Sequence, residues 1–429
     1  MHFQQTTLVK GKEIFPTVRH IQFRGTNFDL GRQLAEVNIA NHADSLQKHC
    51  AADPVYARAQ RDYLQRSWPA QWQRARGAAT AFGVDPEDDR YDFSHLWYNM
   101  DLPLRPGCSN AFYPPHRSSD GHAYLSRNYE FSTGTIADVF GIPLPPEINA
   151  QLAAMMGEPY IMEWQPTDGG YASWTIHSND LLGGAFDGMN SAGLAVALMA
   201  DETAMGTLHE PQMGPPDKVG IGELQIVRLL LDSCETVAEA KSLLLSVKHM
   251  YQFVPCHYII ADASGDSFIF QFSIGRNHER ILAGGGEAQV CSNHAILDMP
   301  NGEIPPLTLA ANSEWRYAKL QARVKEQQRF TPAEIRANSA AVSISQLTNL
   351  LLEDPGFRTI AANIDSRTLW YTLYDLTAGQ VQIDFYLASS FSESGEYSEQ
   401  RSEIFSFAVP GKSEQAASEE QVALPALQR

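Results

Sequence analysis

Past Pro106 the chain is written in short aromatic and β-branched runs cut by Gly, Asp and Asn, and this pattern most limits its fold. HAYLSRNYEFS (122–132), PYIMEW (159–164), YASWTIH (171–177) and GLAVALM (193–199) have the length and make-up of strands. CHYIIADASGDSFIFQFS (256–273) reads as a hairpin turning at Ala263–Asp266, and TLWYTLYDLTAGQVQIDFYL (368–387) repeats that design. Helical stretches lie between and after them, at 221–247, 313–330 and 343–353. Strands in runs and helices in runs predict an α+β domain rather than an alternating parallel sheet.

Before Pro106 the text changes. Residues 27–50 and 54–83 are rich in Ala, Gln, Arg and Leu at helical spacing. Thr26 or Asn27 is placed to cap the first helix, and Pro69 marks a break in the second stretch. A short strand, IFPTVRHIQFRG (14–25), precedes them, so residues 1–107 are expected to be mainly helical. Residues 201–219 predict a long loop, whose Met and Pro content suits an acyl pocket and a surface connection equally. The catalytic part would run over 108–410, followed by a disordered tail from 411 to 429.

With 429 residues, one large domain or two to three ordinary ones fit, at about 100–200 residues each. The formal net charge of −18 opposes phosphate backbones and anionic membranes, so neither nucleic acid nor membrane is expected as a partner. No apolar window reaches the roughly 18–20 residues that cross a bilayer. The start lacks an apolar signal core, and the five cysteines are odd in number and widely spaced. Both features point to a reducing, cytoplasmic setting.

The motif scan is sparse. Nucleophile-elbow, zinc-protease and P-loop patterns are absent from the sequence. Cys291 and His294 form a CxxH without a second pair, too little for zinc, so no metal is expected. What remains is RPGCSNAF at 105–112, where Cys108 follows Gly107 at the border between helical and strand text. Gly107 permits a strained or closely approached peptide. The Cys108 thiol could then attack the Gly107 carbonyl, and hydrolysis of the thioester would free an amino-terminal cysteine. Such a residue carries both nucleophile and base, because an α-amino group has a pKa near 8. Alone, this motif reads first as an inert loop cysteine.

Gly107-Cys108-Ser109, SRNYEF (126–131), DGMNSAGLAVALM (187–199), HYIIADASGDSFIFQF (257–272), VCSNHAILD (290–298) and SEWRY (313–317) occur in one order. Together they resemble the amino-terminal-nucleophile hydrolases of linear amides, the penicillin acyltransferase-like and choloylglycine hydrolase group. The long segment before Cys108 is similar to that of the acyltransferase-like branch. The resemblance implies a four-layer αββα sandwich and a segment 1–107 that is released or nicked by cleavage at Gly107-Cys108. It implies cleavage, or acyl transfer, at a non-peptide linear amide through a Cys108 thioester, with a small-molecule substrate and no external cofactor. Whether two copies of the chain associate stays open.

The resemblance also implies individual roles. Cys108 would be the nucleophile. Arg127 would lower the pKa of its thiol. Glu130 stands where the family has Asp and would contact the new α-amino group, its extra methylene displacing the carboxylate by about 1 Å. Asn190 and Asn293 would offer amide donors to substrate and oxyanion, and Arg316 would orient that network from a helix. Singly, Asn190 is also a natural turn residue and Arg127 a salt-bridged strand residue. A relative that keeps the fold but is unprocessed, a binding or scaffold protein, is the second reading, and Glu130 is its support. An unrelated thiol enzyme using Cys108, Cys256 or Cys291 with a histidine is the third.

Overall fold

A computed structural model describes residues 1–11, 16–98, 107–135, 137–138, 143–149, 154, 156–201, 219–251, 255–273, 278–295, 304–307, 312–353, 366–392 and 397–411. The loop expected at 201–219 and the tail expected beyond 411 lie almost wholly outside these residues.

Two sheets organise the chain. The first, in spatial order, joins β1 (His2–Lys10), β2 (Thr17–Gly25), β5 (Tyr160–Pro166), β6 (Ser173–His177), β7 (Asp187–Asn190), β8 (Ala195–Ala200), β9 (Cys256–Ala261), β10 (Ser267–Ser273) and β11 (His278–Ala283). The second joins β12 (Gln289–Cys291), β3 (Gly107–Tyr113), β4 (Tyr124–Ser132), β13 (Ser366–Asp375), β14 (Gln380–Phe391) and β15 (Tyr397–Arg401), with β16 (Phe405–Ala408) also on β14. The expected hairpins are present: Phe268 pairs with Ile260, and Tyr374 with Val381.

One apolar core joins the sheets. Trp174, Ile176, Met189 and Leu198 of the first meet Phe112, Leu125, Tyr129 and Trp370 of the second. Tyr129 stacks on Trp370 with ring centroids 3.9 Å apart. Helices α1 (Asn27–His42), α2 (Pro54–Ser67) and α3 (Pro69–Ala81) precede Cys108. Then come α4 (Glu223–Ser233), α5 (Val237–Ser246), α6 (Asn312–Arg323), α7 (Pro332–Ala340) and α8 (Ile344–Glu353). Helices α1 and α3 share a core with β2 and β5, while α4 lies on β7 and β8. On the second sheet, α6 lies on β3 and β12, α7 on β3 and β4, and α8 on β13 and β15.

The local signals explain the helix starts. Thr26 caps α1 by accepting from the Asp29 amide, and Asp53 with Pro54 opens α2. Pro69 breaks the following stretch at Trp68, giving two helices where an unbroken pattern would have given one. Glycines let α1 and α3 touch. A Cβ on Gly31 would sit 1.9 Å from the Arg74 carbonyl oxygen, and one on Gly77 2.0 Å from that of Phe28.

The N-terminal segment departs from expectation. It contributes two strands rather than one, and both belong to the first sheet. The β2 strand runs parallel to β5, with Ile21 opposite Met162 and Phe23 opposite Trp164. Buried polar links add to this ladder. The Arg74 guanidinium lies 2.6 Å from Asp232 of α4, and Gln60 exchanges two 2.9 Å hydrogen bonds with the Gly220 backbone. The described residues up to 98 thus pack into two apolar clusters, both shared with strands of the first sheet.

Candidate active site

Strand alternation decides which side chains surround Cys108. It is the second residue of β3 and lies opposite Tyr129 of β4, while Asn110 lies opposite Arg127 and Gly107 opposite Glu130. Opposed residues share a face and successive residues alternate. Cys108, Tyr129 and Arg127 thus face the first sheet, and Gly107 and Glu130 face the helices beneath the second.

On the inner face, Cys108 is buried and the Arg127 Nη2 approaches its Sγ at 3.7 Å. Arg127 is fully buried. Its Nη1 donates to the Leu198 carbonyl at 2.5 Å, and its Nε lies 2.8 Å from the Asp187 carboxylate. The Tyr374 hydroxyl donates to the other Asp187 oxygen. Burial opposes the charge on Arg127, yet Asp187 and Cys108 outweigh it and raise its pKa. For the thiol the balance is reversed. Burial pushes Cys108 up, and the pull of Arg127, the Glu130 amide and Arg316 does not offset it. In the uncut chain burial therefore outweighs the cations around the thiol, although Arg127 itself pulls the thiol pKa down.

A second set of groups holds the Cys108 backbone. Its N–H donates to Asn293 Oδ1 at 2.5 Å, and its carbonyl accepts from Arg316 Nη1. Arg316 Nη2 donates to the same Asn293 oxygen at 3.0 Å, and its Nε to Asn312 at 3.1 Å. The other end of Asn293 donates to the Ala200 carbonyl at 2.9 Å, and its backbone N–H to Ser313 Oγ at 2.8 Å. With two donors at one end and a carbonyl at the other, Asn293 presents an acceptor to Cys108, not the amide donor expected of it.

Glu130 lies on the outer face. Its Oε1 accepts from the Ile344 amide at the start of α8 (2.9 Å) and from Thr368 (3.0 Å). Its Oε2 is 3.7 Å from Arg316 and has no hydrogen bond among the described residues. A Cβ on Gly107 would come within 3.0 Å of that oxygen. Gly107 takes no positive φ, so the glycine serves close approach rather than strain. Burial raises the Glu130 pKa against the pull of Arg316, Thr368 and the Ile344 amide.

Asn190 is not brought to this cluster. It closes the turn from β7 to β8, its Oδ1 accepting from the Leu194 amide at 3.0 Å. Its amide hydrogens go to the Leu231 and Cys234 carbonyls at 3.1 and 2.7 Å. The turn reading of Asn190 describes its position, and no donor is left for a substrate. Asp187, three residues earlier, is the residue overlooked. An acidic residue facing inward on a strand requires a buried cation, and inward-facing Arg127 was the available one.

By its fold this is an α+β protein of two large sheets with a polar cluster around Cys108. Residues 117–386 match the family described as acyl-coenzyme A:6-aminopenicillanic acid acyl-transferase, and the chain belongs to that family. The family is described by an acyltransferase activity, and the chain is an enzyme of that family. The matched span begins downstream of Cys108. No curated protein matches the chain. Among solved structures it is similar to the penicillin V acylase of Agrobacterium tumefaciens, with 17% identity, 65% of this chain and 83% of that chain covered, and a TM-score of 0.39. A mutant of the conjugated bile acid hydrolase of Clostridium perfringens is similar at 12% identity, with 70% and 96% covered and a TM-score of 0.41. No described helix is long and apolar enough to cross a membrane.

Proposed function

We propose that the chain cuts itself between Gly107 and Cys108, and that the freed Cys108 then cleaves, or transfers the acyl group of, a non-peptide linear amide. The observation that carries this reading is the convergence on one residue: Arg127 on the thiol, Asn293 on the nitrogen, Arg316 on the carbonyl.

In the first step the thiol adds to the Gly107 carbonyl and its proton passes to the departing Cys108 nitrogen. The C–N bond breaks and a thioester forms. Water then releases a carboxylate at Gly107 and regenerates the thiol. The new amine keeps Asn293 Oδ1 as its acceptor.

In the second step the α-amino group takes the thiol proton as sulfur attacks the substrate carbonyl, and it returns the proton to the leaving amine. Water or an acceptor amine resolves the acyl-enzyme. The β2–β5 ladder and the Arg74–Asp232 pair favour retention of residues 1–107 after the cut. The active form would then be a nicked pair of chains of 107 and 322 residues (429 − 107 = 322). N-terminal sequencing of purified protein should report Cys-Ser-Asn-Ala-Phe, with both chains co-eluting in native buffer. A screen of N-acyl amino acids, penicillins and conjugated bile salts should then identify the acyl donor.

A further inference from the structure

Arg127 has three nitrogens, and each goes to a different element. Nη2 faces the Cys108 sulfur, Nη1 the Leu198 carbonyl of β8, and Nε the Asp187 carboxylate of β7. Two of these anchors belong to the opposite sheet, so the fork that faces the thiol is set from across the core. Asp187 and Arg127 are both fully buried, and at 2.8 Å their contact lacks hydrogen-bond alignment. What Asp187 supplies is negative charge. Its own orientation is fixed by the Tyr374 hydroxyl.

We propose that Asp187, held by Tyr374, is a positioning residue that aims Arg127 at the Cys108 thiol. This rests on the reading of Cys108 as the nucleophile. Charge alone and positioning predict opposite results. An anion near the thiol that acted only as a charge would disfavour the thiolate, so its removal would make Cys108 more reactive. An anion that holds Arg127 in place favours the thiolate indirectly, so its removal would make Cys108 less reactive. The other ionisable groups near the thiol are Tyr129, Tyr374, Cys256 and Cys291, with Glu130 and Arg316 acting from the outer face, and none changes in the comparison below except where stated.

The test measures iodoacetamide alkylation of Cys108 against pH in purified, processed protein, with turnover alongside. Asp187→Asn keeps shape and removes charge. It should slow alkylation at neutral pH about tenfold and move the profile to higher pH. Turnover should fall through kcat more than KM. Asp187→Asn combined with Arg127→Gln should be no slower than Arg127→Gln alone, because one acts through the other. Tyr374→Phe, which leaves the ion pair in place, should shift the profile the same way by about two- to threefold.

Faster alkylation in Asp187→Asn, or additive losses in the double variant, would overturn the proposal. If Asp187→Asn does not fold, an unshifted Tyr374→Phe profile overturns it instead. Cys108→Ala separates the two readings: retained turnover there defeats the nucleophile itself, whereas lost turnover with a wild-type profile in Asp187→Asn defeats only the positioning role.

Discussion

The two faces of the β3–β4 pair are built on different terms. The inner face spends its charges on the sulfur: Arg127 is fixed by Asp187 and Leu198 and leaves one nitrogen for Cys108. The outer face spends its carboxylate on architecture: Glu130 accepts from the α8 amino end and from Thr368, and reaches the reactive region only through Gly107 and Arg316. Arg127 and Glu130 are three apart in a strand, an odd separation that puts them on opposite sides of the sheet. Chemistry and support are thus divided by one layer of backbone. Arg316, which bonds the Cys108 carbonyl and lies near Glu130, crosses that division.

The largest effect should come from the inner face. Cys108→Ala is expected to abolish both the cut and turnover, a loss of about ten-thousandfold or more. Intact mass should show one full-length chain, and a cut chain in this variant would break the division at once. Arg127→Gln should follow, lowering turnover about a hundredfold and stability by about 3–5 kcal/mol, because Asp187 is left buried without its cation. Denaturant melts and steady-state kinetics on the same preparation measure both. A variant that loses stability while keeping turnover would assign Arg127 to the scaffold.

Much of this was legible in the residues. The strand text after Pro106, both hairpins, the Thr26 cap and the Pro69 break appear where local chemistry put them. Cys108, Arg127, Asn293 and Arg316 came from ordered motifs, and they lie within one cluster. What escaped was set by distant partners. The β1 strand is mostly polar and exposed, and becomes a strand only because β2 accepts it along its length. An asparagine amide has a donor end and an acceptor end, and the neighbours choose which end Asn293 turns to Cys108. The Asn-Ser-Ala-Gly context of Asn190 already describes the turn in which it lies. Asp187 went unnoticed because an inward acidic residue declares itself only once its cation is located.

The outer face should respond in stability and pH dependence before it responds in rate. Burial raises the Glu130 pKa above its ordinary 4.5, so the folded protein holds this proton more tightly than the unfolded chain does. Its share of stability is therefore full below about pH 4.5 and is lost as pH rises through the raised folded value. Glu130→Gln cannot ionise and should flatten that part of the curve relative to wild type. Thiol alkylation should stay within about threefold, and self-cleavage should slow by about tenfold if Glu130 orders Gly107. Urea melts across pH 4–8 give the slope as a difference between the two proteins. A steeper slope in the variant would contradict the raised pKa.

Gly107→Ala should have the smallest effect, and it tests the contact between the two faces. An added methyl meets Glu130 Oε2 at 3.0 Å and its Cβ at 3.3 Å, so the carboxylate must move by a few tenths of an ångström. Against that cost stands a gain of about 0.4–1 kcal/mol from a less flexible unfolded chain, because the site demands no positive φ. The two nearly cancel, and melting should change by less than about 1 kcal/mol. Self-cleavage should nonetheless slow several-fold, since the thiol must reach a carbonyl whose flank has shifted relative to Glu130. A time course of chain cleavage on denaturing gels measures this directly. Unchanged cleavage would mean that the close approach of Gly107 to Glu130 serves packing alone, leaving the inner face to carry the reaction by itself.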